Sequence, residues 1–425
     1  MMFCDQCEET FEGKGCTKVG MCGKSGEVAQ LQDLLISVLA GISEKNIALK
    51  EKRSKEADAF IIKSLFSTIT NANFDKGYFL SAIRDGLALK KKLSSRNTLS
   101  SEDGKWLDED DDSLMVRAGK AGVKGEGDLR SLRELLLYGI KGISAYAEHA
   151  LVLGKSDDRV SSFMQEGLVA VFSEDAGADR LQSLVMRCGE IGLVTMELLD
   201  RANTSRFGTP EPTRVQIGTG DRPGILVSGH DLLDLEELLI QTEGKGIDIY
   251  THSEMLPAHS YPRLKKFSHL KGNYGGSWWR QGTEFESFNG PILLTTNCLI
   301  PPRASYKGRI FTTGASGFSG IPHLPDRKAG REKDFSPIIR QAKESRPPME
   351  LETGTIMGGF AHGTLAASLG TLIKLVEEGK IKRFIVMAGC DGRDNDRSYY
   401  TEFAKALPHD TIILTAGCAK YRYNK

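Results

Sequence analysis

Half of the eight cysteines in this 425-residue chain lie within its first 22 positions, and nothing else in the sequence limits the fold so tightly. Cys4, Cys7, Cys16 and Cys22 form the spacing C-x2-C-x8-C-x5-C, with Gly13, Gly15, Gly20 and Gly23 making the backbone between them pliable. Four thiolates from one short loop can surround a cubane iron–sulfur cluster or a single zinc ion, since both accept four sulfur ligands in a roughly tetrahedral array. Zinc ribbons generally use two close pairs, and here only Cys4 and Cys7 are close, so the spacing leans toward iron–sulfur. A disulfide knot is the bland alternative. It requires an oxidising compartment and belongs mostly to small secreted domains.

The rest of the chain does not fit that alternative. The start Met1, Met2, Phe3, Cys4, Asp5 lacks the basic and apolar run of a secretory signal, and no apolar stretch approaches a membrane span. Lys plus Arg and Asp plus Glu both number 56, so no excess charge draws the chain to nucleic acid or to an anionic membrane. The expectation is a soluble, cytoplasmic protein with a small-molecule substrate or a protein partner. Its length implies two or three domains, each burying its own core.

From Glu27 to Arg206 the apolar residues recur at helical spacing, in stripes over Val28–Leu49, Ala59–Ile69, Tyr78–Leu93, Leu129–Leu153, Val160–Val171 and Leu181–Leu199. The acidic, Gly-rich stretch Ser100–Gly127 reads as an exposed loop between two groups of helices. Past Gly208, Pro210 and Pro212, short β-rich runs alternate with helices, which implies one or two doubly wound α/β sheets divided near Arg346–Glu352. The expected organisation is a cysteine-rich loop (1–26), a helical bundle domain (27–212), an α/β domain (213–348) and the start of a second α/β domain (349–425).

A second constellation is dispersed. Four strand candidates are each followed by a soft or borderline metal ligand: ILVSGH by His230, ILLTTNC by Cys298, FIVMAGC by Cys390 and IILTAGC by Cys418. A fifth, IDIY, runs into Thr251, His252, Ser253 and Glu254. Parallel strands would bring such ends to one edge of a sheet, where thiolate, imidazole and carboxylate could meet at one metal centre. Taken singly, each has a dull reading as a small buried thiol or a hydrogen-bonded histidine. Cys188, on a helix, reads as packing.

The stretches FCDQCEET, GCTKVGMCGK, SGHDLLDLEELL, THSEMLPAHSYP, TTNCLIPPR, GCDGR, YYTEF and LTAGCAKYRYNK closely resemble the hybrid cluster proteins, also called the prismane or hydroxylamine reductase family. The resemblance runs from the first residues to the last. It implies an N-terminal loop whose Cys4, Cys7, Cys16 and Cys22 hold a 4Fe-4S cubane, then two three-helix bundles, then two Rossmann-like domains around a hybrid 4Fe-2O-2S cluster. By motif match, His230, Glu254 and Cys298 would ligate the hybrid cluster. Cys418 would ligate it too, as the cysteine that family members carry as a persulfide. Glu254 and Cys418 are the catalytic candidates, and Glu254 is the ligand expected to loosen for substrate. Cys390 matches no family ligand and is assigned to the surroundings of the site or to the core. Asn297 is expected near the substrate, and His252 and His259 are either proton donors or surface residues. The cubane would feed electrons inward from a redox-partner protein.

The activity implied is reduction of hydroxylamine to ammonia and water, or of nitric oxide, by an oxidoreductase. The alternatives are a non-catalytic iron–sulfur electron carrier or redox sensor and, below that, a carbon monoxide dehydrogenase-like enzyme. Family members continue past YRYNK with two more cysteines and a second glutamate, whereas this chain ends seven residues after Cys418. The last domain is therefore expected to be incomplete, the chain to be a fragment of a longer protein, and its activity alone to be low.

Overall fold

The computed structural model describes residues 2–94, 109–296, 298–328, 331–390, 392 and 398–425. They divide into two compact units, Met1–Asn203 with Ala315–Gly320, and Thr204–Gly314 with Ile321–Lys425.

The first unit is helical: α1 (Gly26–Ala48), α2 (Lys55–Ser67), α3 (Lys76–Ser94), α4 (Asp111–Ala118), α5 (Gly127–Val152), α6 (Asp158–Phe172) and most of α7 (Ala178–Phe207). Each apolar stripe in the sequence becomes one of these helices. Caps fix their starts: the Ser25 hydroxyl accepts from Val28 N at 3.2 Å and so satisfies one of the orphan donors at the start of α1. Two features depart from the sequence reading. The acidic stretch is not a plain loop, because α4 forms within it. The Asp110 carboxylate accepts from Ser113 N at 2.8 Å, and Asp111 and Asp112 occupy the first turn, where negative charge meets the positive end of the helix dipole. Residues 100–108 of that stretch lie outside the described residues. The two expected groups of helices also share one continuous apolar core, which takes in Leu39, Ile61, Ile83, Leu114, Ile140, Phe163 and Leu184. Close approach is purchased with glycine: a Cβ on Gly167 of α6 would stand 2.5 Å from Ile140 on α5.

The second unit is α/β. It contains β1 (Thr213–Gln216), β2 (Gly224–Ser228), α8 (Leu232–Thr242), β3 (Asp248–His252), α9 (Pro262–Lys265), β4 (Leu270–Asn273), α10 (Gln281–Ser287), β5 (Ile292–Leu294), α11 (Ala304–Lys307) and β6 (Ile310–Thr312). Then follow α12 (Ser336–Lys343), β7 (Thr355–Gly358), α13 (His362–Glu377), β8 (Arg383–Ala388), α14 (Tyr399–Ala406) and β9 (Thr411–Ala416). A five-stranded parallel sheet has the order β4-β3-β2-β5-β6, and β2, β3 and β5 are buried throughout, as helices on both faces of a parallel sheet require. β8 and β9 pair in parallel as a separate two-stranded sheet. β1 and β7, absent from the sequence reading, pair antiparallel with Val215 opposite Ile356. The chain is thus multidomain, helical first and α/β after. Among the described residues no helix is long and apolar enough to cross a membrane.

Candidate metal centres

In the first unit the cysteine loop closes on itself. Cys4 and Cys16 form an antiparallel bridge, Cys4 N donating to Cys16 O at 3.0 Å and Cys16 N to Cys4 O at 2.8 Å. Gly20 N donates to Lys24 O at 2.8 Å, so the strand carrying Cys22 folds back. Glycine is required at two points. Gly15 has a φ of 114°, and a Cβ there would meet the Phe3 ring at 2.8 Å; a Cβ on Gly20 would stand 2.9 Å from Cys22 Sγ. The result gathers the four cysteines: Cys16 is buried, the other three are half-buried, and Met21 N donates to Cys16 Sγ at 3.4 Å. Burial, helped by the charges of Cys22 and Cys4, pushes the Cys7 thiol up. A thiol such as Cys7, protonated because it is buried, gives up that proton when a cation binds its sulfur.

In the second unit the strand ends converge. Ser228 lies opposite His252 across β2–β3 and opposite Leu294 across β2–β5, so the residues that follow these strands leave the sheet at one edge. Each turns at once through a left-handed residue: Gly229 (φ 123°) before His230, Ser253 (φ 56°) before Glu254, and Cys298 itself (φ 70°) after β5. The second sheet repeats the device, with Gly389 (φ 98°) before Cys390 and Gly417 (φ 74°) before Cys418. The sequence reading placed all these ends on the edge of one sheet. They come from two sheets, as two Rossmann-like domains require, and the two sets of ends meet where the Cys418 thiol lies 3.2 Å from Ser253 Oγ.

Around this meeting point the electrostatics are specific. Lys420 Nζ donates to Glu254 Oε1 at 2.7 Å and to Gly417 O at 2.9 Å. Burial would raise the Glu254 carboxyl, but the Lys420 ammonium, with a hydrogen bond from Cys418, outweighs it and holds the group below its ordinary range. His230, with Nδ1 2.9 Å from Thr296 Oγ1, is pushed down chiefly by burial and stays neutral, the form that ligates metals. Burial, then the charges of Cys418, Glu254 and Cys390, raises Cys298 well above an ordinary thiol. Burial with Glu254 raises Cys418 to about 12. His230, Glu254, Cys298 and Cys418 therefore sense one another, and Cys390 stands with them.

Other sequence candidates fall elsewhere. His252 is not a surface residue: it is fully buried between Ser228 Oγ and Glu284 Oε2, each 2.9 Å away. His259 is buried against Thr251 Oγ1, and burial lowers it to about 4, so at neutral pH it is a neutral imidazole without the imidazolium proton a general acid would supply. Cys188 packs between α5 and α7, where a Cβ on Gly139 would stand 2.6 Å from its sulfur. Asn297 lies outside the described residues. Sequence reasoning gave Ser253 no role and passed over Lys420 and Tyr421, whose hydroxyl donates to Ser253 O at 2.8 Å. Only the cation two positions after Cys418 could have been noticed. Among the described residues no three His, Cys, Asp or Glu side chains close around a single metal ion. A polynuclear cluster holds its ligands apart by its own width, so both groups remain candidates for clusters rather than single ions.

The sequence profile of the Prismane/CO dehydrogenase family matches residues 2–425. The hydroxylamine reductase of Halothermothrix orenii is 52% identical over 441 residues, covering 100% of this chain and 80% of that protein. The hydroxylamine reductase of Bacteroides fragilis strain YCH46 is 54% identical over 432 residues, covering 100% of this chain and 79% of its own length. Among solved structures, the closed and open alpha subunits of acetyl-CoA synthase/carbon monoxide dehydrogenase, described with NiZn[Fe4S4] and NiNi[Fe4S4] clusters, superpose with a TM-score of 0.52 at 16% identity. That match covers 99% of this chain and 64% of the other, and the likeness is one of fold.

Proposed function

The chain belongs to the Prismane/CO dehydrogenase family, and from that premise we propose that it is an oxidoreductase of the hydroxylamine reductase type, which turns hydroxylamine, two electrons and two protons into ammonia and water. The observation that carries the reading is the mixed donor set: His230, Glu254 and Cys298, joined by Cys418 and Cys390, sit at facing strand ends in one unit. The donor chemistry fits a hybrid iron–sulfur–oxygen cluster, because soft thiolates suit electron-rich iron while imidazole and carboxylate are harder donors that can give up a position. The four loop cysteines fit a 4Fe-4S cubane for the same reason. Bound iron–sulfur clusters supply electrons one at a time and an electrophilic iron site.

The protein's own groups have definite tasks. Lys420 keeps Glu254 ionised, so the carboxylate is ready to serve as a ligand, and the ammonium remains beside it as a donor toward a departing oxygen. His230 enters as a neutral imidazole, oriented through Nδ1 by Thr296. Ser253 and Tyr421 fix the Cys418 turn. Cys418 is buried, which keeps water from its sulfur, while Cys298 stays half-buried and open to an incoming small molecule.

The test is anaerobic reconstitution with iron and sulfide, then hydroxylamine-dependent oxidation of reduced viologen. It should be run for the chain as it stands and for the chain joined to the remaining fifth of a relative's length. One ammonia for each two viologen radicals oxidised, lost in Glu254→Gln, is expected. Iron-loaded protein that forms no ammonia in either state points instead to an electron carrier or sensor. The persulfide belongs to the same proposal: mass spectrometry of alkylated peptides should find the extra sulfur on Cys418, and its discovery on Cys390 would move that role.

A further inference from the structure

Beside the cysteine loop, in the helical unit, lies a cavity of about 140 Å³ lined by Cys4, Asp5, Asp33, Glu134, Tyr138 and Lys141 among others. Its polar groups are almost all tied down. Tyr138 donates to Asp5, Lys141 Nζ donates to Gln6 Oε1 at 3.1 Å, Lys24 Nζ to Gln32 Oε1 at 2.6 Å, and Arg130 Nε to Glu134 Oε1 at 3.0 Å. Asp33, on α1, is the exception. It faces the cavity with no hydrogen bond to its carboxylate among the described residues, and the charges of Lys141, Lys24, Glu134 and Arg130 act on it there. An unanchored carboxylate in such a place is free to change protonation without breaking a contact. Burial already raises it to about 6.

The charges around it are balanced. Asp5, Asp33 and Glu134 stand against Lys24, Arg130 and Lys141, and Lys141 senses both Asp33 and Cys4. An electron added at the loop cysteines would leave a surplus negative charge in a place that water screens poorly. We propose that Asp33 is a proton-loading group for the centre held by Cys4, Cys7, Cys16 and Cys22, so that each electron arriving there is matched by one proton taken from solvent onto the Asp33 carboxylate. The electron comes from a low-potential one-electron donor and resides on the cluster; the proton comes from water and makes Asp33 neutral, so the net charge of the region is unchanged. This rests on reading the loop as an iron–sulfur site. It adds a route by which a reaction that consumes protons and electrons in equal number draws both at the point of electron entry.

The experiment is a potentiometric titration of the wild-type chain and Asp33→Asn between about pH 5 and pH 9, followed through the electron paramagnetic resonance signal of the reduced loop cluster. The wild-type midpoint should fall with rising pH above about 6 and level off below it, while Asp33→Asn should be flat. A reduced-minus-oxidised infrared difference spectrum of the wild type should also show a protonated carboxyl band that shifts in D2O, a readout that does not depend on the variant folding. A flat wild-type midpoint with the cluster intact, or the same slope in both proteins, overturns the proposal. A loop that binds zinc, or no iron, overturns the reading beneath it as well, and metal analysis tells the two failures apart.

Discussion

Lys420 shows how much of the site depends on one residue that is not itself a ligand. Both members of its pair with Glu254 are largely buried, with side chains 12% and 15% exposed. Breaking a buried pair by removing one partner costs about 3–5 kcal/mol, because the other charge is left uncompensated. Lys420→Met should therefore destabilise the metal-free chain by about 3 kcal/mol at pH 7, and adding Glu254→Gln should restore much of the loss. The pH dependence has a sign. The folded Glu254 carboxyl lies below its unfolded value, so its contribution is complete above the unfolded value and is lost as pH falls from there through the folded one. The Lys420→Met deficit should thus shrink toward pH 4, which urea titrations at both pH values would detect. Asp33 has the opposite sense. Its carboxyl is raised to about 6, so its stabilising share is complete below the unfolded value and is lost as pH climbs through 6. Asp33→Asn should leave stability near pH 3 nearly unchanged and raise it by about 3 kcal/mol at pH 8. A variant weakened equally at both pH values would show that Asp33 is held by contacts the structure does not display.

At the scale of elements, the recurring device is a parallel strand, a left-handed residue, then a ligand. Gly229 makes this testable. Its φ is 123°, and a Cβ there would crowd Thr295 Oγ1 and lie 2.9 Å from Thr296 N, beside the hydroxyl that orients His230. Gly417→Ala is confined in the same way, with Gly389 O at 2.6 Å. Each substitution should cost about 2 kcal/mol or more, through strain at positive φ and overpacking, and should lower iron retention in the α/β unit while sparing the loop cluster. Normal iron content in both variants would mean that the turns do not set ligand position. Much of this element was legible beforehand, because buried parallel strands are short apolar runs and the ligand follows each run directly. The helices were legible for a like reason, since their stripes persist over many turns. What the sequence concealed has physical causes. TRVQ and TIMG, the strands β1 and β7, are too short to show an alternation, and their pairing depends on partners far apart in the chain. α4 looked like a loop because the acidic residues that cap a helix start are also those that favour solvent. The Lys420–Glu254 pair spans 166 residues, and no local pattern announces it.

At the scale of the whole chain, stability is distributed unevenly, and the cysteine loop is where it should depend on metal. The helical unit rests on one broad apolar core, whereas the loop contributes little of its own: Met2 and Cys16 pack on Ala29 with Cys4 beside them, and Phe11, Val19 and Met21 remain exposed. A few backbone hydrogen bonds, the side-chain ties of Asp5 to Tyr138 and Gln6 to Lys141, and so small an apolar contact do not hold more than twenty residues against their conformational entropy, which is on the order of 1 kcal/mol for each residue's backbone. Ligation by four thiolates supplies the missing free energy, as metal binding does in other small cysteine-rich segments. Removing iron should then open the loop locally and leave the helices folded. Lys14 and Lys18 are exposed within it and report the opening. Trypsin should cut at these two lysines many-fold faster after anaerobic chelation than in the iron-loaded protein, while fragments beginning near α1 persist. Equal rates in the two states would show that the loop is ordered by the polypeptide alone. Simultaneous cleavage throughout α1–α3 would show that the cluster supports the whole helical unit and not only the loop that binds it.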